Sequence, residues 1–117
     1  MTGPDETIFL VDDDPAVLRA VSRLLRSAGY AVRDYPSAEE FMAASHADAA
    51  GCLVADVSMP GCTGLELQEW LRQSQSSLPV VFLTGCGDVP STVRAMKGGA
   101  VDFLTKPVDE TELLGAV

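Results

Sequence analysis

Four short apolar runs punctuate this chain: Ile8–Val11, Cys52–Ala55, Val80–Leu83 and Val101–Leu104. Each is too short to hold a helix in water. The first three are continuously apolar rather than alternating, which is what a strand covered on both faces requires, and the fourth is interrupted by Asp102 alone. A fifth run, Ala31–Tyr35, alternates and reads as an edge strand. Between the runs lie helical patterns. Asp14 is placed to cap a helix that begins at Pro15 and stops at Gly29, with Val17, Leu18, Val21, Leu24, Leu25 and Ala28 on one face. Ser37 with Glu40 and Thr63 with Glu66 are spaced as capping boxes for a second and a third helix, the former carrying Phe41 and Met42, the latter Leu67, Trp70 and Leu71. Ser91 opens a fourth, with Val93 and Met96, that stops at Gly98-Gly99. Asp109 and Glu112 open a fifth.

Strand and helix thus alternate five times. Parallel strands joined by right-handed helical crossovers are the consequence. The predicted architecture is α/β and doubly wound: a five-stranded parallel sheet of flavodoxin-like order 2-1-3-4-5, with helices on both faces. Another five-stranded order is the alternative. A chain of 117 residues suits one domain, expected over 8–117 after a tail at 1–7. Leu113, Leu114 and Val117 are still in helical register at the end, which predicts a fifth helix cut short and a chain that is a fragment of a longer protein.

Composition narrows the function. At 47% hydrophobic and 21% charged, the chain is an ordinary globular one. A net charge of -9 argues against direct nucleic-acid binding, which needs a basic surface. No apolar run approaches a membrane span and no secretory pattern opens the chain, so a cytoplasmic location without membrane contact is expected. Cys52, Cys62 and Cys86 form no metal-binding spacing and read as reduced thiols. His46, with no second histidine, is not a metal site. Trp70, Phe41, Phe82, Met42 and Met96 read as packing residues.

In an open parallel sheet, ligands bind beyond the carboxyl ends of the strands, at the switch point where the order reverses. Asp12, Asp13 and Asp14 follow the first strand, Asp56 the third, Thr84 the fourth, and Thr105-Lys106 the fifth. The first and third strands flank the switch point, so Asp12, Asp13 and Asp56 are expected to converge. Carboxylates that close repel one another unless a cation intervenes. All-oxygen ligands suit Mg²⁺, which often shares a phosphate. Lys106 and the Thr84 hydroxyl then offer donors to phosphate oxygens. Carboxylate nucleophile, metal, cation and hydroxyl together equip a site for phosphoryl transfer onto a carboxylate. Taken singly, each has a plainer reading. Asp14 is a helix cap, an aspartate after a strand is a turn residue, and Thr84 and Lys106 are a strand end and a surface lysine.

Val11-Asp12-Asp13-Asp14-Pro15, Asp56-Val57-Ser58-Met59-Pro60-Gly61, Leu83-Thr84-Gly85 and Lys106-Pro107 resemble, in order and spacing, the four signatures of response-regulator receiver domains. The resemblance runs from Ile8 to the end. Thr84-Gly85-Cys86-Gly87-Asp88-Val89-Pro90 and Ala95 to Phe103 look like the FixJ type, whose members usually add a DNA-binding helix-turn-helix domain. The resemblance implies that Asp56 accepts the phosphoryl group from a sensor histidine kinase. It implies that Asp13, Asp56 and the Ser58 backbone carbonyl bind Mg²⁺, with Mn²⁺ or Ca²⁺ as substitutes, and that Asp12 acts through water or as a further ligand. It implies that Thr84 and Lys106 contact the phosphoryl group, that Phe103 is the switch aromatic, and that the Lys106-Pro107 bond is cis. It implies a homodimer formed on phosphorylation through the face of the fourth helix and fifth strand, and DNA contact only through an output domain. Two positions depart from the FixJ pattern: Cys86 stands where His is common, and Val108 where Phe is common.

Three other readings compete. A Mg²⁺-dependent phosphohydrolase with an aspartyl nucleophile wants an acid two residues beyond it, where this chain has Ser58. A flavin- or nucleotide-binding protein wants a glycine- or hydroxyl-rich loop after the first strand, where Asp12 to Asp14 would repel phosphate. A stand-alone receiver acting by protein–protein contact shares every residue of the site.

Overall fold

The computed structural model describes residues 6–44, 51–57, 59, 61, 63–74, 78–85, 96–100, 102–106 and 109–117. Five strands are seen: β1 (Thr7–Val11), β2 (Ala31–Tyr35), β3 (Gly51–Asp56), β4 (Val80–Thr84) and β5 (Asp102–Thr105). They alternate with α1 (Pro15–Ser27), α2 (Ala38–Ala43), α3 (Gly64–Gln73) and a C-terminal helix (Glu110–Ala116). All pairings are parallel, in the order β2-β1-β3-β4-β5. The sheet order is the one the sequence predicts, with Ala31–Tyr35 on the edge.

Residue parity along the strands sorts two cores. Phe9, Val11, Leu53, Ala55, Val80 and Phe82 meet Ala38 and Phe41 of α2 and Leu67 and Leu71 of α3. Ile8, Leu10, Cys52, Val54, Val81 and Leu83 meet Val21 and Leu25 of α1 and Leu113 and Val117 at the C-terminus. Apolar residues of both parities are needed because both faces are covered, which is why these runs do not alternate. Phe41 and Phe82 are fully buried, and truncating either to alanine is worth about 3–5 kcal/mol.

The caps set where each helix starts. Asp14 accepts the Ala16 N–H at 2.9 Å, and Pro15 follows as the first helical residue. Thr63 and Glu66 form both halves of a capping box. Ser37 accepts from Glu40 N–H and Asp109 from Glu112 N–H. α1 ends in a Schellman arrangement: Gly29 at φ +97° donates to the Arg26 carbonyl and Tyr30 to that of Leu25.

Three details correct the sequence reading. β1 begins at Thr7, which pairs with Ala31 and Gly51, so this residue belongs to the sheet rather than to a tail. Ala28 is exposed as the C-cap of α1 instead of lying on its buried face. Met96 is 45% exposed rather than packed inside. Of the predicted fourth helix, Met96 and Lys97 are helical, and Gly99 in the predicted Gly98-Gly99 stop has φ +98°. Ser91 and Val93 lie outside the described residues, as do Val101, His46 and Cys62. Among the described residues no helix is long and apolar enough to cross a membrane.

Candidate functional site

The register brings the polar strand ends together. Val11 at the end of β1 pairs with Ala55, so Asp12 and Asp56 leave adjacent strands at one level. Asp56 pairs with Leu83, and Thr84 with Thr105, so Thr84 and Lys106 follow on the next two strands. The Lys106 N–H donates to the Thr84 carbonyl at 2.7 Å, extending the ladder past the strand end. Sequence patterning predicted this convergence, and the sheet order produces it.

One carboxylate oxygen each from Asp12, Asp13 and Asp56 lies within 4.8 Å of the others. Their surroundings differ. Asp12 is 0% exposed and Asp56 is buried, whereas Asp13 faces solvent. Asp12 Oδ1 accepts the Asp14 N–H at 2.9 Å, which turns the chain into α1. Asp12 Oδ2 lies 2.9 Å from Lys106 Nζ. The contact is an ion pair, and among the described residues no hydrogen bond of good geometry reaches this buried oxygen. Lys106 directs a hydrogen bond instead to Asp56 Oδ2 at 3.1 Å.

The titration behaviour follows from this packing. Burial raises the Asp12 pKa above its usual value, opposed by the Asp14 N–H and by Lys106 and reinforced by the charge of Asp56. Burial would lower the Lys106 pKa, but its contacts with Asp12 and Asp56 outweigh that and raise it. Away from the site, burial pushes the Cys52 thiol up to about 11, an inert structural cysteine.

The donor set suits a hard cation. Three carboxylate oxygens converge, and one of them, Asp12 Oδ2, is buried with only its ion pair to Lys106 among the described residues. Oxygen-only ligands with one side open to solvent at Asp13 are the pattern that Mg²⁺ accepts. The Ser58 carbonyl expected to complete the set lies outside the described residues, as do Cys86, Pro107 and Val108. Thr84 is buried at the end of β4. The Phe103 ring is half-buried, with its centroid 6.2 Å from that of Phe82 at an interplanar angle of 47°.

Sequence reasoning missed three features. One is the ion pairing of Lys106 with both Asp12 and Asp56, which offsets part of the repulsion expected of the three carboxylates. Asp12 doubles as the turn acceptor for Asp14, a role that the Asp-x-Asp spacing before Pro15 could have signalled. Gly64 sits against the backbone of Asp56 and Val57. A β-carbon there would overlap the Asp56 carbonyl oxygen and lie 2.8 Å from Val57 Cα. The Gly64 N–H donates to the Val57 carbonyl at 3.1 Å, tying the start of α3 to the residue after Asp56. A glycine directly after a capping threonine was the available signal.

Residues 8–117 match the family model described as the response regulator receiver domain. The chain is 45% identical over 117 residues to the response regulator protein TodT of Pseudomonas putida, covering 100% of this chain and 52% of that protein. It is 43% identical over 110 residues to the transcriptional regulatory protein FixJ of Bradyrhizobium diazoefficiens, covering 94% of this chain and 54% of that protein. The chain therefore spans about half the length of these curated relatives. Among solved structures, the response regulator StyR superposes with a TM-score of 0.90 at 47% identity, over 96% of this chain and 57% of that one. The FixJ N-terminal structure gives 0.87 at 40% identity, over 96% and 90%. With this sheet order, this gathering of strand-end acids and these matches across nearly its whole length, the chain belongs to the response regulator receiver domains.

Proposed function

We propose that this domain is a phosphorylation-activated switch of a two-component system, with Asp56 as phosphoacceptor. The observation that carries the reading is the bridge from Lys106 to Asp12 and Asp56, beside a third carboxylate, at the switch point of the sheet. An Asp56 oxygen attacks the phosphorus of a kinase phosphohistidine; the O–P bond forms, the P–N bond breaks, and the imidazole leaves with the electron pair. Asp12, Asp13 and Asp56, with the Ser58 carbonyl, would hold Mg²⁺, or Mn²⁺ or Ca²⁺ in its place, which supplies positive charge to the phosphoryl oxygens. Lys106 exchanges its carboxylate partner for a phosphoryl oxygen. The Thr84 hydroxyl donates to another, and Phe103 turns into the space that Thr84 leaves. The surface formed by the segment before β5 and by β5 then changes its population between two shapes.

That surface would pair two copies of the domain and control a DNA-binding output domain, with residues 8–117 as the receiver unit in the cytoplasm. The regulators similar to this chain carry such names as transcriptional regulatory protein. The domain promotes only its own phosphorylation, from a phosphodonor, and its own dephosphorylation. The test is intact-mass spectrometry after acetyl phosphate and Mg²⁺. One added phosphoryl group is expected on the wild type and none on Asp56→Asn, because an amide is not a competent nucleophile. Equal labelling of the variant at another residue would overturn the site. Steady release of phosphate from small phosphomonoesters would favour a phosphohydrolase instead.

A further inference from the structure

The basic residues are unevenly placed. Four of the chain's eight, Arg19, Arg23, Arg26 and Arg33, fall between Pro15 and Arg33, a stretch with no acidic residue in a chain of net charge -9. Arg19, Arg23 and Arg26 stand at i, i+4 and i+7 on α1, one stripe about 10 Å long. They line an open groove of about 550 Å³ on the flank of α1 that borders the edge strand β2, together with Ser22, Ser27 and Asp34.

Two observations mark this groove as built to receive something. Arg19 and Arg23 have no ion pair or hydrogen bond among the described residues, although the chain carries 17 acidic side chains. Ser22 is only 3% exposed, and its hydroxyl is buried without a hydrogen-bond partner among the described residues. A buried hydroxyl left unpaired is costly, and one lining a cationic groove gains a partner when an oxygen-rich anion enters. Arg26 is anchored by a bond from Nη2 to the Val32 carbonyl at 3.1 Å, which fixes its guanidinium beside β2. Three guanidinium forks and a hydroxyl offer more donors than one carboxylate can accept, and the fork geometry matches phosphate.

We propose that the α1–β2 groove binds a small phosphate-class anion, with Arg19, Arg23 and Arg26 as its charge partners, Ser22 as the buried donor and Asp34 as the residue that limits its affinity. The site is separate from the acidic cluster and does not depend on phosphoryl transfer to Asp56.

The experiment is an NMR titration of arginine Nε–H and backbone amides with sodium pyrophosphate, in EDTA, at ionic strength held constant with NaCl. Saturable shifts centred on Arg19, Arg23 and Ser22 are expected. Arg19→Gln with Arg23→Gln, two exposed positions where the fold has little at stake, should weaken binding by about tenfold or more. Ser22→Ala should weaken it several-fold. Asp34→Asn should tighten it, a gain that mere structural disturbance would not produce. Citrate at equal charge should bind more weakly. Unsaturating shifts that are the same in the double glutamine variant, or shifts centred on Lys106 and Asp56, would overturn the proposal. So would a Asp34→Asn protein that binds no better than wild type.

Discussion

Lys106 Nζ donates a hydrogen bond to Asp56 Oδ2 at 3.1 Å, across 50 residues of sequence. The same ammonium sits 2.9 Å from Asp12 Oδ2. Lys106 is thus the cation of the site before any metal arrives. Removing it as Lys106→Ala strands a buried carboxylate at Asp12. A loss of about 2 kcal/mol is expected in chemical denaturation with EDTA. The Lys106 pKa is raised above 10.5. Its contribution is therefore complete at neutral pH and is lost only as the pH rises through that higher folded value. Because Lys106 competes for the same carboxylates, the variant should also bind Mg²⁺ more tightly than wild type. An unchanged or weaker Mg²⁺ affinity would show that the lysine is not a rival of the metal.

Asp12 gives the opposite pH signature. Its folded pKa lies above the ordinary 3.8, chiefly through burial. The folded state therefore holds the proton more tightly than the unfolded chain, and the group's contribution to stability falls as the pH rises through the window above 3.8. Asp12→Asn keeps an oxygen for the Asp14 N–H and removes the buried charge. In EDTA it should exceed wild type by about 1 kcal/mol at pH 7. The advantage should shrink as the pH is lowered into the window where wild-type Asp12 gains its proton. Urea melts of both proteins across that range decide. An advantage that is constant with pH would mean that charge burial is not its source.

Much of this was legible in the sequence, for identifiable reasons. The strands announce themselves because burial on both faces forces continuous apolar runs, as in Cys52–Ala55. The helix starts announce themselves because Asp14, Ser37, Thr63 and Asp109 are short polar side chains whose capping is local. The convergence of Asp12, Asp13 and Asp56 follows once the strand order is assumed, since strand-end residues inherit their position from topology. What stayed hidden depends on distance in space rather than in sequence. The pairing of Lys106 with Asp12 and Asp56 depends on how one flexible side chain resolves two nearby charges. Met96 looks like core by residue type, yet it is 45% exposed. Ala28 fits the helical period but falls at the cap, where the face no longer turns toward the sheet.

Gly64 tests a steric claim. Its missing β-carbon would meet the Asp56 carbonyl oxygen, Val57 Cα at 2.8 Å and Phe82 Cε1 at 3.0 Å. Two of these contacts are backbone, and the Phe82 ring is fully buried, so the neighbours have little room to give. Gly64→Ala should cost about 1–3 kcal/mol despite alanine's better helix propensity, and should slow labelling by acetyl phosphate because α3 can no longer seat against Val57. Gly115, which has nothing within 4 Å of a built β-carbon, is the control. Gly115→Ala should be neutral or slightly stabilising. A Gly64→Ala protein as stable as wild type would mean that α3 shifts freely away from β3.

The last prediction concerns the metal. Asp12 and Asp56 are buried and share Lys106, whereas Asp13 is exposed, and no ion pair or hydrogen bond engages its side chain among the described residues. Of the three carboxylates, Asp13 is the one with the least structural work in the metal-free protein. Mg²⁺ binding to the folded cluster and hardly to the unfolded chain should raise the melting temperature. The linkage is worth about 2.7 kcal/mol at roughly 100 times the dissociation constant. Asp13→Ala should lose most of that response, because one of three oxygen ligands is gone. In EDTA the same variant should be at least as stable as wild type, because a carboxylate leaves a cluster whose single lysine already serves two others. Thermal melts of both proteins, first in EDTA and then over a millimolar range of Mg²⁺, separate the two effects. A wild-type melt indifferent to Mg²⁺ would count against a metal site at these residues. A marked loss of stability in metal-free Asp13→Ala would instead assign Asp13 a structural role, and the cation would have to be held by Asp12 and Asp56 alone.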